Sequence, residues 1–236
     1  MQKIKQSPRT DIPQLIENFE KDKYVQIPNF LDLDSANSIH HCLSQQTQWN
    51  LAWNNMGQHT DMDYESVKRW TTEQQKQLSD RIYSQAGKSF QYRYAAIPIY
   101  DIYHQKLLPG HFFNLIYEFF NSSESLDFAK SITSKDKIKF ADIQATRYSK
   151  GHFLTEHDDN VKGKNRLAAY VLNLTPEWKN DWGGALLIHK DEVSCHALFP
   201  KFNALNIFTV PQKHSVSYIS PFAQADRYSI TGWFRY

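Results

Sequence analysis

Three histidine-x-aspartate triplets occur in this chain: His59-Thr60-Asp61, His157-Asp158-Asp159 and His189-Lys190-Asp191. Each places an imidazole two residues before a carboxylate. Such a pair, joined by one distant histidine, can hold Fe(II) on one side and leave coordination positions open for other molecules, dioxygen among them. On an extended strand, residues i and i+2 share a face, so His157 and Asp159 can converge on one ion while Asp158 points away. About one such triplet is expected by chance in a chain with this many His and Asp, so the surroundings must choose among the three. His59 stands in a polar stretch and reads as a solvated histidine. His189 runs into Lys190, Asp191 and Glu192 and reads as a strand end entering an exposed turn. His157 follows a strand-like run at 141–148, and His214 and Arg227 lie downstream of it. The candidate metal ligands are therefore His157, Asp159 and His214.

Arg227 opens the run Arg-Tyr-Ser-Ile-Thr-Gly-Trp-Phe, whose alternation puts Arg227, Ser229, Thr231 and Trp233 on one face. An arginine on an inward face requires an anion, and its guanidinium fork suits a carboxylate in two-point contact. Charge accounting agrees. A ferrous ion, one aspartate and a doubly charged dicarboxylate leave one negative charge, which one arginine neutralises.

Short β-rich runs separated by turn residues position these groups: 90–100, 140–148, 167–174, 185–189, 204–210, 215–219 and 228–236, with an amphipathic helical stretch at 111–120. The first third differs. It predicts helices over 13–21, 32–46 and 72–85 and a strand over 24–27, with a polar, aperiodic loop at 54–69 that Trp53 and Trp70 border. Many short strands suggest a sandwich or jelly roll whose alternate residues point into a mouth between two sheets. The expected organisation is one domain over 1–236. Within it, 1–88 is mostly helical support and mobile loop, and 89–236 is the β core.

Lys plus Arg at 27 against Asp plus Glu at 25 gives a net charge of +2, which carries no electrostatic footprint for nucleic acid. Cys42 and Cys195 form no CxxC pair and read as reduced thiols. No apolar run suits a signal peptide or membrane span, so the expected location is cytoplasmic.

Tyr148, the His157–Asp159 triplet, RLAAYVLNL at 166–174, WGGALLI at 182–188, His214 and RYSITGWF at 227–234 together resemble the 2-oxoglutarate- and Fe(II)-dependent oxygenases of the prolyl hydroxylase type. The resemblance covers about 140–236, with looser similarity over 24–31 and the helix after it. It implies a mainly β fold with supporting helices, a double-stranded β-helix of the cupin-like jelly-roll kind. It also implies Fe(II), 2-oxoglutarate as co-substrate, and O2. His157, Asp159 and His214 become the iron ligands, and Arg227 the partner of the co-substrate's distal carboxylate. Tyr170 stands where such enzymes place a hydroxyl on that carboxylate, and Tyr148 where they place a pocket tyrosine. Thr231 and Trp233 match residues that line the iron site. The implied reaction is hydroxylation of a substrate carbon, a prolyl residue in a protein or peptide. A hydroxylase of a free amino acid or other small metabolite shares the same site. A jelly-roll metal-binding sensor is the non-enzymatic alternative, although structural zinc prefers four closed ligands and only three candidates converge.

Overall fold

The computed structural model describes residues 3–236, and Met1 and Gln2 lie outside them. Helix α1 (Ile12–Asp22) starts with Pro13 in its first turn and ends at Lys23 in the left-handed conformation, from which β1 (Tyr24–Ile27) departs. Helix α2 (Leu33–His41) is capped by Asp32, whose carboxylate accepts from Ser35 N–H, and it widens into a π-type turn over Cys42–Gln46.

The segment 54–69 is not an irregular loop. It holds the end of β2 (Asn50–Asn55), then β3 (Gln58–Met62) and the short helix α3 (Tyr64–Lys68). Met56 and Gly57, at φ 55° and 89°, turn β2 into β3, and the Asn54 side chain accepts from Gly57 N–H at 2.9 Å. The hairpin escapes a sequence reading because β3 is polar and faces solvent. Leu51 and Trp53 of β2 nevertheless bury against Phe153 and against Ile82 of α4 (Thr72–Ala86). The expected strand at 90–100 is likewise shorter: β4 spans Tyr92–Ile97, Pro98 follows, and α5 takes Ile99–His104.

Helices α6 (Phe112–Phe120) and α7 (Ser123–Thr133) precede the main strands. These are β5 (Phe140–Tyr148), β6 (Phe153–His157), β7 (Arg166–Asn173), β8 (Leu186–His189), β9 (Cys195–Leu198), β10 (Ala204–Thr209), β11 (His214–Val216) and β12 (Arg227–Arg235). The strand order is β1-β10-β7-β12-β5-β4-β6-β11-β8-β9, with β2 and β3 branching from β4. Strand β1 therefore extends the sheet, so the amino-terminal third is more than helical support.

Strand β4 pairs with β5 through 95–97 and with β6 through Tyr92 and Arg93. It thereby joins two antiparallel layers into a nearly closed jelly roll, the double-stranded β-helix that the sequence implies. Alternation sorts the side chains. Ala141, Ile143, Tyr170, Leu172, Ile230 and Phe234 pack beneath the helices, and Arg227, Ser229, Thr231 and Trp233 take the opposite face.

Candidate metal centre

His157 ends β6 and His214 begins β11, and the two are direct cross-strand partners with ring centroids 4.1 Å apart. Asp159 reaches them from beyond the strand, at φ 62°, a left-handed conformation that aspartate tolerates better than most residues. Strand alternation is therefore not what aims its carboxylate, as the spacing suggested; a backbone reversal does so. Its Oδ1 lies 3.4 Å from His157 Nε2 and its Oδ2 lies 3.4 Å from His214 Nε2. One ligand atom from each of the three residues falls within 4.8 Å of the others. Asp158 is exposed and accepts from Asn160 N–H at 2.9 Å, away from the cluster.

The outer nitrogens complete the arrangement. His157 Nδ1 lies 3.0 Å from the Thr155 carbonyl and His214 Nδ1 lies 2.7 Å from the Gln212 carbonyl. Carbonyls only accept, so each Nδ1 carries the proton and each Nε2 presents a lone pair to the shared point. Burial, reinforced by repulsion from His157, pulls His214 down to about 4, which keeps it neutral and ligand-competent. Burial pushes the Asp159 carboxyl up, but its close contacts with His157 and His214, which favour the ionised form, outweigh it and leave Asp159 below its ordinary value. Two neutral imidazoles and one carboxylate suit Fe(II), with half the coordination sphere free.

A cavity of about 450 Å³ opens beside this cluster, and Arg227 stands in its wall. Arg227 is only 2% exposed, yet among the described residues no carboxylate lies within 4 Å of its guanidinium. Asp226, its chain neighbour, turns instead to Arg147 at 3.8 Å. One Arg227 nitrogen donates to Asn173 Oδ1 at 3.3 Å, Tyr148 places its ring 5.2 Å away, and Nε has no partner. Burial lowers the Arg227 pKa to about 10, so the group stays charged at neutral pH. The hydroxyls of Thr146, Ser229 and Thr231 are also buried without partners. A buried cation among unpaired hydroxyls is costly unless an anion joins it, and the donor set fits a carboxylate. The residues therefore fit both the metal and a dicarboxylate co-substrate.

Of the sequence-predicted residues, His157, Asp159, His214, Arg227, Tyr148 and Thr231 all line this cavity. Trp233 also lines the cavity, with its indole N–H unpartnered. Tyr170 differs. It borders the cavity, but its ring stacks between Phe120 and Phe234 and its hydroxyl donates to the Asp142 carbonyl at 3.0 Å, so it does not serve Arg227. Gln144 and Thr146, which the alternation of 140–148 puts on one face, also line the cavity. His59 is exposed, in keeping with a solvated histidine. The hairpin carries it to the cavity rim, where its Nδ1 lies 2.6 Å from the Tyr92 hydroxyl. His189 stays outside, with its Nε2 2.9 Å from Ser215 Oγ.

Residues 143–235 match the 2OG-Fe(II) oxygenase superfamily. Prolyl 3-hydroxylase OGFOD1 of Xenopus laevis is 31% identical over 112 residues, covering 44% of this chain and 21% of that protein. Prolyl 3-hydroxylase sudestada1 of Drosophila melanogaster is 30% identical over 112 residues, covering 42% of this chain and 20% of that protein. The matched part thus spans about a fifth of the length of these relatives. Among solved structures, a Pseudomonas putida prolyl-4-hydroxylase superposes with a TM-score of 0.60 at 16% identity, covering 95% of this chain and 98% of that one. A Trichoplax adhaerens prolyl hydroxylase, in complex with a hypoxia inducible factor peptide fragment, gives 0.63 at 17% identity, covering 95% and 88%. The superpositions bear on the fold, and the sequence match reaches every ligand of the metal cluster and Arg227. Over residues 143–235, which hold the three candidate ligands and Arg227, this chain is similar to the 2OG-Fe(II) oxygenase superfamily.

Proposed function

We propose that this chain is an Fe(II)- and 2-oxoglutarate-dependent dioxygenase that hydroxylates a prolyl residue in a protein or peptide. The observation that carries the reading is the pairing of two features in one cavity: a three-ligand cluster with both Nε2 atoms free, and a buried arginine that lacks a carboxylate. His157, Asp159 and His214 would hold the metal, and Arg227 with the Ser229 and Thr146 hydroxyls would take the distal carboxylate of 2-oxoglutarate. When bound, Fe(II) with 2-oxoglutarate and dioxygen supplies the oxidation that replaces a substrate C–H hydrogen by hydroxyl, with succinate and carbon dioxide as co-products.

The chain's own work is positional. The Thr155 and Gln212 carbonyls fix the imidazole tautomers. Because Asp159 fills the carboxylate place, no ligand position is left for a halide, which favours hydroxylation over halogenation. The aromatic side chains of Tyr94 and Tyr148, stacked at 5.2 Å, wall the inner cavity with apolar ring surface. Phe90, Tyr92, Val161 and Trp233 line its approach, apolar surfaces of the kind a pyrrolidine ring can bury against. The prolyl reading draws support from the prolyl 3-hydroxylases it resembles. Two unpaired cysteines are in keeping with a reducing, cytoplasmic setting.

The test is succinate formation from 2-oxoglutarate with Fe(II), run against prolyl peptide pools and against a panel of free amino acids and metabolites. Peptide-dependent turnover, with a gain of one oxygen on proline and its loss in Asp159→Ala, is the expected result. Stimulation by free amino acids alone would move the substrate to the small-metabolite class.

A further inference from the structure

Asp159 is the one ligand of the cluster that no strand holds. It belongs to the loop 158–165, between β6 and β7, and carries a left-handed backbone. Its neighbour Asn160 is exposed, and Asp158 turns outward to close a local turn on Asn160 N–H. Little in the loop itself would keep the Asp159 carboxylate aimed at the two imidazoles.

The first residue of β7 supplies what the loop lacks. Arg166 Nη1 donates to the Asp159 main-chain carbonyl at 3.2 Å and lies 3.5 Å from Asp159 Oδ1. The same guanidinium is centred 3.5 Å over the Trp233 indole, a cation–π stack that fixes its plane. Trp233 is held in turn by its backbone N–H, which donates to Asp142 Oδ1 at 3.2 Å. At the far end of the loop, Arg235 Nε donates to the Lys164 carbonyl at 2.6 Å. The loop is thus braced at both ends from the sheet, and the brace nearer the metal cluster runs from β12 through Trp233 and Arg166 to Asp159.

We infer that Arg166, stacked on Trp233, is a positioning residue that holds Asp159 in ligating geometry, and that it raises metal affinity although it is itself a cation. This rests on the proposed reading of the cluster as a metal centre. The inference separates from a simple charge effect by its sign. A positive group this close repels a divalent ion, so if charge were its main contribution, neutralising it would tighten metal binding. If it positions the ligand, neutralising it loosens binding.

Co(II) binding by calorimetry in the absence of 2-oxoglutarate and oxygen reads this out without turnover. Arg166→Gln is expected to weaken Co(II) by roughly 10-fold, the scale on which partners of metal ligands act. Arg166→Lys, which keeps the charge but loses the planar fork and the stack, should remain weaker than wild type. Trp233→Leu, which leaves the arginine but removes its platform, should weaken Co(II) in the same direction and provides the second arm should Arg166→Gln not fold. Unchanged or tighter Co(II) binding by folded Arg166→Gln, or full recovery of affinity by Arg166→Lys, would overturn the positioning role. The wild-type chain and Asp159→Ala are measured alongside. Failure of the wild type to bind Co(II) would remove the metal centre itself, a result distinct from a wild type that binds and an Arg166 variant that binds equally.

Discussion

Arg227 and Tyr170 show how parity across a strand pair decides what a side chain can do. Strands β7 and β12 align Ser229 with Asn173, Thr231 with Val171 and Trp233 with Ala169, and the residues of these pairs share the cavity face. The intervening pairs, Ile230 with Leu172 and Gly232 with Tyr170, therefore face the helices. Tyr170 cannot bring its hydroxyl to the guanidinium without turning the strand over. Across β12 and β5, however, Arg227 is aligned with Tyr148, which puts Tyr148, and not Tyr170, beside the guanidinium. Two substitutions test this division. Arg227→Ala should weaken 2-oxoglutarate binding about 100-fold, on the scale of the roughly 3 kcal/mol lost when one partner of a buried charge pair is removed, and should leave Co(II) binding intact. Tyr170→Phe should leave 2-oxoglutarate affinity within about twofold and cost about 1 kcal/mol of stability through the lost bond to the Asp142 carbonyl. Calorimetric titration of both variants decides. A large loss of co-substrate affinity in Tyr170→Phe would restore the role that family resemblance suggests.

Strands buried on a helix-covered sheet announce themselves, and strands in the open do not. Alternating apolar residues over 140–148 and 228–236 place β5 and β12 within a residue of their observed bounds, because each must bury one face. The hairpin of β2 and β3 lacks that constraint on its outer strand, whose Gln58, His59 and Asp61 are exposed, so polarity there mimics a loop. Helix α7 lies outside the expected elements although Ser122 caps it and Phe128, Ala129 and Ile132 recur at helical spacing. In the site, ligand identity was readable from residue type and order. The left-handed turn at Asp159 and the brace from Arg166 were not, since both arise from contacts between distant segments. The tightest such contact at the strand level is at Gly232. A Cβ there would lie 1.9 Å from the Asp142 carbonyl oxygen of β5 and 2.8 Å from the Tyr170 hydroxyl. Gly232→Ala should therefore destabilise the chain by about 2 kcal/mol, the usual range for forcing one carbon into a packed interior. Urea unfolding measures it, and a variant as stable as wild type would mean that β5 and β12 can part without cost.

The metal cluster draws on both layers of the jelly roll: His157 and His214 come from the layer of β6 and β11, and the Arg166–Trp233 brace from the layer of β7 and β12. The chain crosses between layers at 149–152, after β5 and before β6, and His152 is buried at that crossing. Its Nδ1 accepts from Ser149 N–H at 3.1 Å, which leaves Nε2 to carry the proton of the neutral ring. Burial, together with the nearby positive charges of Arg93 on β4 and Arg147 on β5, pulls its pKa down to about 3. Between that value and the ordinary histidine value of about 6.5, the unfolded chain binds a proton that the folded chain refuses. The His152 contribution to stability is thus fully present above about pH 6.5, falls as the pH is lowered through that value, and continues to fall towards pH 3. At pH 5 the loss amounts to roughly 2 kcal/mol, from about 1.4 kcal/mol per unit of pKa difference already traversed. His152→Asn keeps an acceptor for Ser149 N–H and removes the titration. Urea unfolding of the metal-free wild type and variant at pH 7.5 and pH 5 should show the wild type losing about 2 kcal/mol more than the variant. Equal losses would mean that His152 accepts its proton within the fold, and that the crossing between the layers is open enough to solvate two arginines and an imidazolium together.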